Sequence, residues 1–156
     1  MSEFTHLNRK GEAHMVDITH KDPQVRTATA SGKIFLQPHK LELIVSGSVA
    51  KGDIFPVARV AGIQAAKNTS GLIPLCHQLN LTKVTVDFST EPDGIRTIAM
   101  AKCTGKTGVE MEALTAVSVA LLTIYDMCKA VDKSMVIGEI KLIEKKKDDA
   151  GNNQIA

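Results

Sequence analysis

Asp126 and Lys129 stand three residues apart in the longest periodic stretch of the chain, Cys103 to Asp132, so they share one face of a helix. Between Glu112 and Lys129, Asp126 is the only charged side chain. On a helix that is apolar around most of its circumference, a charge is costly unless it is paired or functional. A carboxylate and an ammonium held together in a cleft have coupled, perturbed pKa values suited to proton transfer. The same two side chains, where a helix emerges into solvent, are a plain ion pair. Both readings stay open.

Other residue types invite chemistry and are weighed in the same way. Gly105-Lys106-Thr107 ends like a phosphate-binding P-loop, but that motif needs glycine at position 100, where the chain has Met100 inside a strand. What survives is a helix N-terminus beside two glycines and a lysine, which could receive an anion or be an ordinary strand-to-helix turn. Cys76-His77 follows Pro74 in a loop. It lacks the second ligand pair of a zinc site, while His77 remains a candidate acid–base or phosphate-contacting group. Lys51 lies in a glycine-rich loop, where it is a candidate phosphate contact, and Lys67 matches the dipole at a helix end. His6, His14 and His20 fit no common metal-ligand spacing and read as surface histidines. No metal site is expected. Glu110 and Glu112 read as helix-start acids.

These residues need elements to place them. Leu114, Val117, Leu121, Ile124, Cys128 and Val131 recur at three- and four-residue steps, predicting one long helix. Thr107 followed by Glu110 has the form of a capping box and predicts a start near Gly108. Residues 32–37 read as a strand, Pro38 opens a short helix ending near Ser46-Gly47, and Asp53 caps a second one through about Lys67. Ala58, Ala61, Gly62, Ala65 and Ala66 give that second helix a seam of small side chains. Leu81–Thr90 and Ile95–Cys103 alternate on either side of Glu91-Pro92-Asp93-Gly94, the signature of a hairpin. Thr97, Ala99 and Ala101 form a small, mildly polar face suited to packing on a second copy. Val136–Glu144 makes the last strand.

This order predicts an α+β, ferredoxin-like (split βαβ) fold, an antiparallel sheet with helices on one face. Residues 1–27 are expected to be an N-terminal arm pinned by Met15, Val16 and Ile18. Residues 28–145 form a single domain, and 146–156 are a disordered tail. The core must be built from Ala, Val, Ile, Leu and Met, because there is no Trp, one Tyr and four Phe. A net charge of +2 implies neither a nucleic-acid nor a membrane partner. Three cysteines argue against a disulfide framework. The start of the chain lacks the apolar core of a signal peptide, and no apolar run approaches bilayer-spanning length, so a cytoplasmic protein is expected.

Four segments, in one order, carry a resemblance. They are Thr104-Gly-Lys-Thr-Gly-Val-Glu-Met-Glu-Ala-Leu-Thr115, Ile124-Tyr-Asp-Met-Cys-Lys-Ala130, Leu72-Ile-Pro-Leu-Cys-His77 and Ala58-Arg-Val-Ala-Gly-Ile-Gln-Ala-Ala-Lys67. With Gly11–Asp17 and Lys51-Gly-Asp53 they resemble the molybdenum cofactor biosynthesis protein C family, the cyclic pyranopterin monophosphate synthases. The resemblance implies a lyase that rearranges a cyclised dihydroguanosine triphosphate to cyclic pyranopterin monophosphate and releases pyrophosphate. It also implies a radical-SAM GTP cyclase upstream, and homohexamers (trimers of dimers) with sites between subunits. Asp126 matches the family's acid–base position, and Lys51 and Lys129 match its lysines. Leu75, Cys76, His77, Met111 and Glu112 match substrate-binding segments, as do Asp17, Arg26 and Lys67. No cofactor is implied beyond Mg²⁺ accompanying the triphosphate. Gln78 stands where the family usually has proline, which frees that loop.

Two other classes fit the same fold: an RNA-binding module and a small-molecule-sensing module. RNA-binding sheets stack bases on exposed aromatics. The predicted strands offer only Phe35 and Phe88.

Overall fold

The computed structural model describes residues 4–47 and 53–149. The chain runs β1 (Gln24–Phe35), α1 (Pro38–Val45), α2 (Ile54–Lys67), α3 (Thr69–Leu72), β2 (Leu81–Glu91), β3 (Gly94–Gly105), α4 (Glu110–Cys128) and β4 (Val136–Asp149). The four strands form one sheet in the order β2-β3-β1-β4, with every neighbouring pair antiparallel. Helices α2 and α4 pack on one face of it. This is the ferredoxin-like arrangement the element order predicts.

The core follows from small residues. On β1, Ala28, Ala30 and Ile34 face the helices; on β3, Ile95, Thr97, Ala99, Ala101 and Cys103 do. From above, α4 presents Ala113, Ala116, Val117, Ala120, Leu121, Ile124 and Cys128, all buried. Alanines on both sides let helix and sheet backbones approach closely. Gly62 does the same between helices: a Cβ there would lie 3.0 Å from the Ala116 carbonyl oxygen and 3.1 Å from Val86 Cγ2. The Asp53 carboxylate accepts from Phe55 N at 3.2 Å and starts α2, as its position predicts.

Several boundaries differ from the sequence reading. β1 starts at Gln24, so its first residues belong to the sheet and not to the arm. β4 continues through Lys145-Lys146-Lys147-Asp148-Asp149, which pairs with Gln24–Ala28 and is not a disordered tail up to that point. Residues 150–156 lie outside the described residues. Partner strands supply backbone hydrogen bonds to sequences with little apolar signal of their own, and tertiary pairing overrides propensity. α4 starts at Glu110 with Val109 as an N-cap lacking any side-chain bond, so the capping box does not form. It ends at Cys128, short of Asp132. Asp132 is instead buried beyond the helix, accepting from Ser134 N at 2.8 Å and from Lys40 Nζ at 3.0 Å. The small face of β3 is covered by the protein's own helices, so it offers nothing to a second copy; Ile98 lies on the open face. Contrary to the sequence expectation, α4 is long and apolar enough to cross a membrane, with a mean hydropathy of 1.4. Its apolar face is the core of this fold.

The β2–β3 turn is clamped by charge. Lys33 Nζ reaches Glu91 at 2.6 Å and Asp93 at 2.5 Å, and Arg96 joins Glu91 to Glu139. Arg96, and then Lys33, hold the Glu91 carboxyl down at about 2. Gly94 closes the turn against β1, where a Cβ would collide with the Ile34 carbonyl oxygen. Backbone cannot yield as a side-chain end can. Gly94→Ala should therefore cost about 1–3 kcal/mol, the usual range for overpacking. Denaturant unfolding checks this, and an unchanged midpoint would show that the strands separate freely.

Candidate active site

The N-terminus of α4 forms the floor of a cavity of about 330 Å³. Glu110, Met111 and Glu112 come from its first turn, Thr107 and Gly108 from the connection after β3. Leu75, Cys76, His77 and Leu79 come from the segment between α3 and β2, and His6 from the N-terminal arm. A Cβ at Gly108 would occupy the space taken by the Glu110 carboxylate, so glycine there makes room for the acid. Leu75, Cys76, His77, Met111 and Glu112, five of the eight residues the resemblance gives as substrate-binding, thus meet in one place; Asp17, Arg26 and Lys67 do not line it.

The two acids are pushed in opposite directions. Burial raises the Glu112 carboxyl, and the neighbouring Glu110 adds to that against a bond from its own backbone. Burial also raises Glu110, but the bonds from Lys145 and from its own backbone outweigh it, with Arg26 adding, so Glu110 sits below the usual range. Paired groups shifted apart are the pattern of an acid and a base sharing a site. Burial, followed by the charge of Glu112, raises the Cys76 thiol, and Cys103 behind it is raised by the same two causes. Both thiols are therefore held as neutral S–H, which argues against a nucleophilic cysteine.

Cations stand behind Glu110, outside the cavity lining: Lys145 pairs with it and the charge of Arg26 acts on it. Arg26 on β1 stands opposite Cys103 on one side and Lys147 on the other, and Lys145 stands opposite Ala28. Directly opposed residues share a face, so Arg26, Lys145 and Lys147 point to the helix side. The Arg26 Nε is buried, with no hydrogen-bond partner among the described residues. Sequence reasoning missed Lys145 and Lys147, and Glu110 looked only like a helix-start acid. The lysine run carries no periodic signal until its strand register is known.

The arm reaches the cavity lining. His77 Nε2 lies 2.7 Å from the Val16 carbonyl oxygen, an acceptor only, so this nitrogen carries the proton and donates. Lys106 Nζ donates to the Thr19 carbonyl at 2.8 Å. Asp17 is exposed between these anchors; its bonds with Thr19 hold its carboxyl below the ordinary range.

The remaining predicted residues are elsewhere. Asp126 and Lys129 pair at 2.7 Å at the other end of α4, with side chains 67% and 55% exposed. In the single chain they are not buried, and the buried charge on this helix is Glu112, 4% exposed. The Asp126 carboxylate holds the Lys129 ammonium above its usual range. Lys129 borders a second, open hollow of about 610 Å³ with Tyr125, Ala130 and Lys133. Lys67 is exposed at the end of α2, and Lys51 lies outside the described residues. α4 is continuous from Glu110 to Cys128, so Glu112 and Asp126 are separated by about 21 Å along the axis. Among the described residues no group of three or more His, Cys, Asp or Glu is placed to hold a metal.

Glu112 gives a pH-dependent prediction. A folded-state pKa raised above the unfolded value means the native state binds the extra proton. Its stabilising contribution is full below the unfolded pKa and is lost as pH rises through the folded one. Relative to the wild type, Glu112→Gln should therefore gain stability as pH rises above the ordinary glutamate value of 4.5. Thermal unfolding at rising pH checks it. A constant difference would mean the carboxyl is not perturbed.

The molecule is an α+β ferredoxin-like domain with a cavity lined by Glu110 and Glu112 at the N-terminus of its central helix. A sequence model of the MoaC family matches residues 15–148, and the chain belongs to that family. It is accordingly an enzyme of molybdenum cofactor biosynthesis. Among solved structures, a dimeric ferredoxin-like protein from an uncultured marine organism is similar at 12% identity, with 78% of this chain and 96% of that chain covered. Its TM-score is 0.27, too low for that likeness to bear on fold or function.

Proposed function

We propose that the protein is a cyclic pyranopterin monophosphate synthase. It rearranges 3′,8-cyclo-7,8-dihydroguanosine triphosphate to cyclic pyranopterin monophosphate and releases pyrophosphate. The observation that carries this reading is the cavity where Glu110 and Glu112, shifted in opposite senses, meet Leu75, Cys76 and His77 beside Arg26 and Lys145. Such a site can hold a polar heterocycle by its N–H edge and an oligophosphate by its charge.

In the proposed mechanism, Asp126 with Lys129 moves protons as the five-membered ring opens and the pterin closes. A ribose hydroxyl then attacks the α-phosphorus. A P–O bond forms as the bond to the β-phosphate breaks, and pyrophosphate leaves. Lysines, Lys51 among them, together with His77 and Arg26, stabilise the charge that develops. Mg²⁺ can accompany the triphosphate; no resident cofactor enters the proposal. Because about 21 Å separates the two ends of α4, the site takes Glu112 from one copy and Asp126 from another. This supports a homo-oligomer, a hexamer on the family pattern, working in the cytoplasm after a radical-SAM GTP cyclase.

An RNA-binding role is disfavoured by the aromatics. Phe88 is packed on Phe55 with ring centroids 5.2 Å apart, and Phe35 lies under Lys33 Nζ at 4.9 Å, so neither is a free stacking platform. The test is to incubate the protein with the cyclised intermediate and identify the pterin product by mass. Tight binding with no conversion would point instead to a ligand-sensing module.

A further inference from the structure

We propose that residues 6–14 are a preformed flap that closes over the cavity on an oligophosphate ligand, and that His6 is its ligand-contacting residue. The proposal rests on the proposed function for the chemistry of the ligand, but the flap itself is read from geometry.

The segment has its own internal architecture. Leu7 and Ala13 form an antiparallel bridge, His14 N donates to His6 O at 3.0 Å, and Asn8 N donates to Glu12 O at 2.9 Å. Asn8 also ties the tip together: its Oδ1 accepts from Lys10 N and Glu12 N, both at 2.9 Å, and its Nδ2 donates to Glu12 Oε2 at 2.8 Å. Gly11 takes the positive φ of +79° that the turn requires. The hairpin's hydrogen bonds are therefore largely its own.

Its attachment is of a different kind. Every residue from Phe4 to Met15 is exposed, so burial contributes little to holding the hairpin down. Further along, where Val16 and Ile18 are half-buried, the arm is also held by hydrogen bonds from His77 to the Val16 carbonyl and from Lys106 to the Thr19 carbonyl. Segments with few buried contacts and solvent-exposed hydrogen bonds open at low cost. Yet His6, at the base of the hairpin, forms part of the cavity wall. Arg9 and Lys10 outnumber the one acid, Glu12, so the flap has the charge to meet an anion held below it. His77 belongs to both parts, lining the cavity and holding the arm, which couples occupancy to closure. The hairpin also lies ahead of residues 15–148, the part matched by the family.

Trypsin reads the flap directly, because Arg9 and Lys10 sit in its turn region. The full chain is digested with and without inorganic pyrophosphate, and the loss of intact N-terminus is followed by mass. At about ten times its dissociation constant, pyrophosphate should slow cleavage at Arg9 and Lys10 about tenfold. His6→Ala should lose most of that protection. His77→Ala should be cut faster than wild type even without pyrophosphate. Equal wild-type cleavage with and without pyrophosphate overturns the proposal, as does full protection of His6→Ala. A hairpin uncut in both conditions, as when covered by another subunit, also overturns it. None of these results bears on conversion of the cyclised intermediate, so the functional reading stands or falls separately.

Discussion

Asp126→Asn should lower turnover by about 10²–10⁴-fold, the range for removing a positioned acid–base group. The replacement keeps the size of the side chain and removes its charge. Because the Asp126 and Lys129 side chains are 67% and 55% exposed in the single chain, neither supports the core, and the fold should tolerate the change. Lys129→Ala should act in the same direction, since it removes the partner 2.7 Å from the carboxylate. Steady-state kinetics with unfolding curves alongside will separate lost chemistry from lost structure. Wild-type turnover in either variant would remove the pair from the mechanism and leave a surface ion pair.

The second large effect comes from mixing. Glu112→Ala should also be nearly inactive, because it removes the buried carboxyl from the cavity. If each site joins the first turn of α4 in one copy to the last turn of α4 in another, two dead variants can rescue each other. In randomly mixed Asp126→Asn and Glu112→Ala assemblies, about a quarter of the sites would carry both native residues. Activity should rise from near zero to about that fraction of the wild type. No recovery, with mixed assembly shown by light scattering and mass, would place both residues in one chain's site or outside the chemistry.

The sequence made the frame legible where a periodic signal was strong. The apolar steps from Leu114 to Cys128, the Asp53 cap and the Pro92-Asp93-Gly94 turn all became the elements they predict. The two ends of the central sheet pair were hidden. Thr27, Ala28, Thr29 and Ala30 alternate only weakly, and Lys145–Asp149 show no apolar face, so their strands exist because they pair with each other. The cationic cluster of Arg26, Lys145 and Lys147 depends on that pairing and could not be seen before it.

The central helix shows the other gap. Its pattern reveals a buried face but not which charge lies on it. Glu112 falls in line with Ala116 and Ala120, the stripe against which α2 and the sheet pack. Asp126 falls in line with Ser118, Leu122 and Lys129, the stripe that opens to solvent. The costly charge is therefore at the start of the helix, where the cavity is, and the pair at its end is exposed in the single chain. The shared cavity of Leu75, Cys76, His77, Met111 and Glu112 was legible only through family resemblance, since these residues lie up to 37 positions apart and no local spacing joins them.

The most direct measurement is the release of pyrophosphate from 3′,8-cyclo-7,8-dihydroguanosine triphosphate, followed together with the pterin formed. The proposed reaction predicts one pyrophosphate for each cyclic pyranopterin monophosphate, at a rate proportional to protein concentration. Release no faster than in a protein-free control would contradict it.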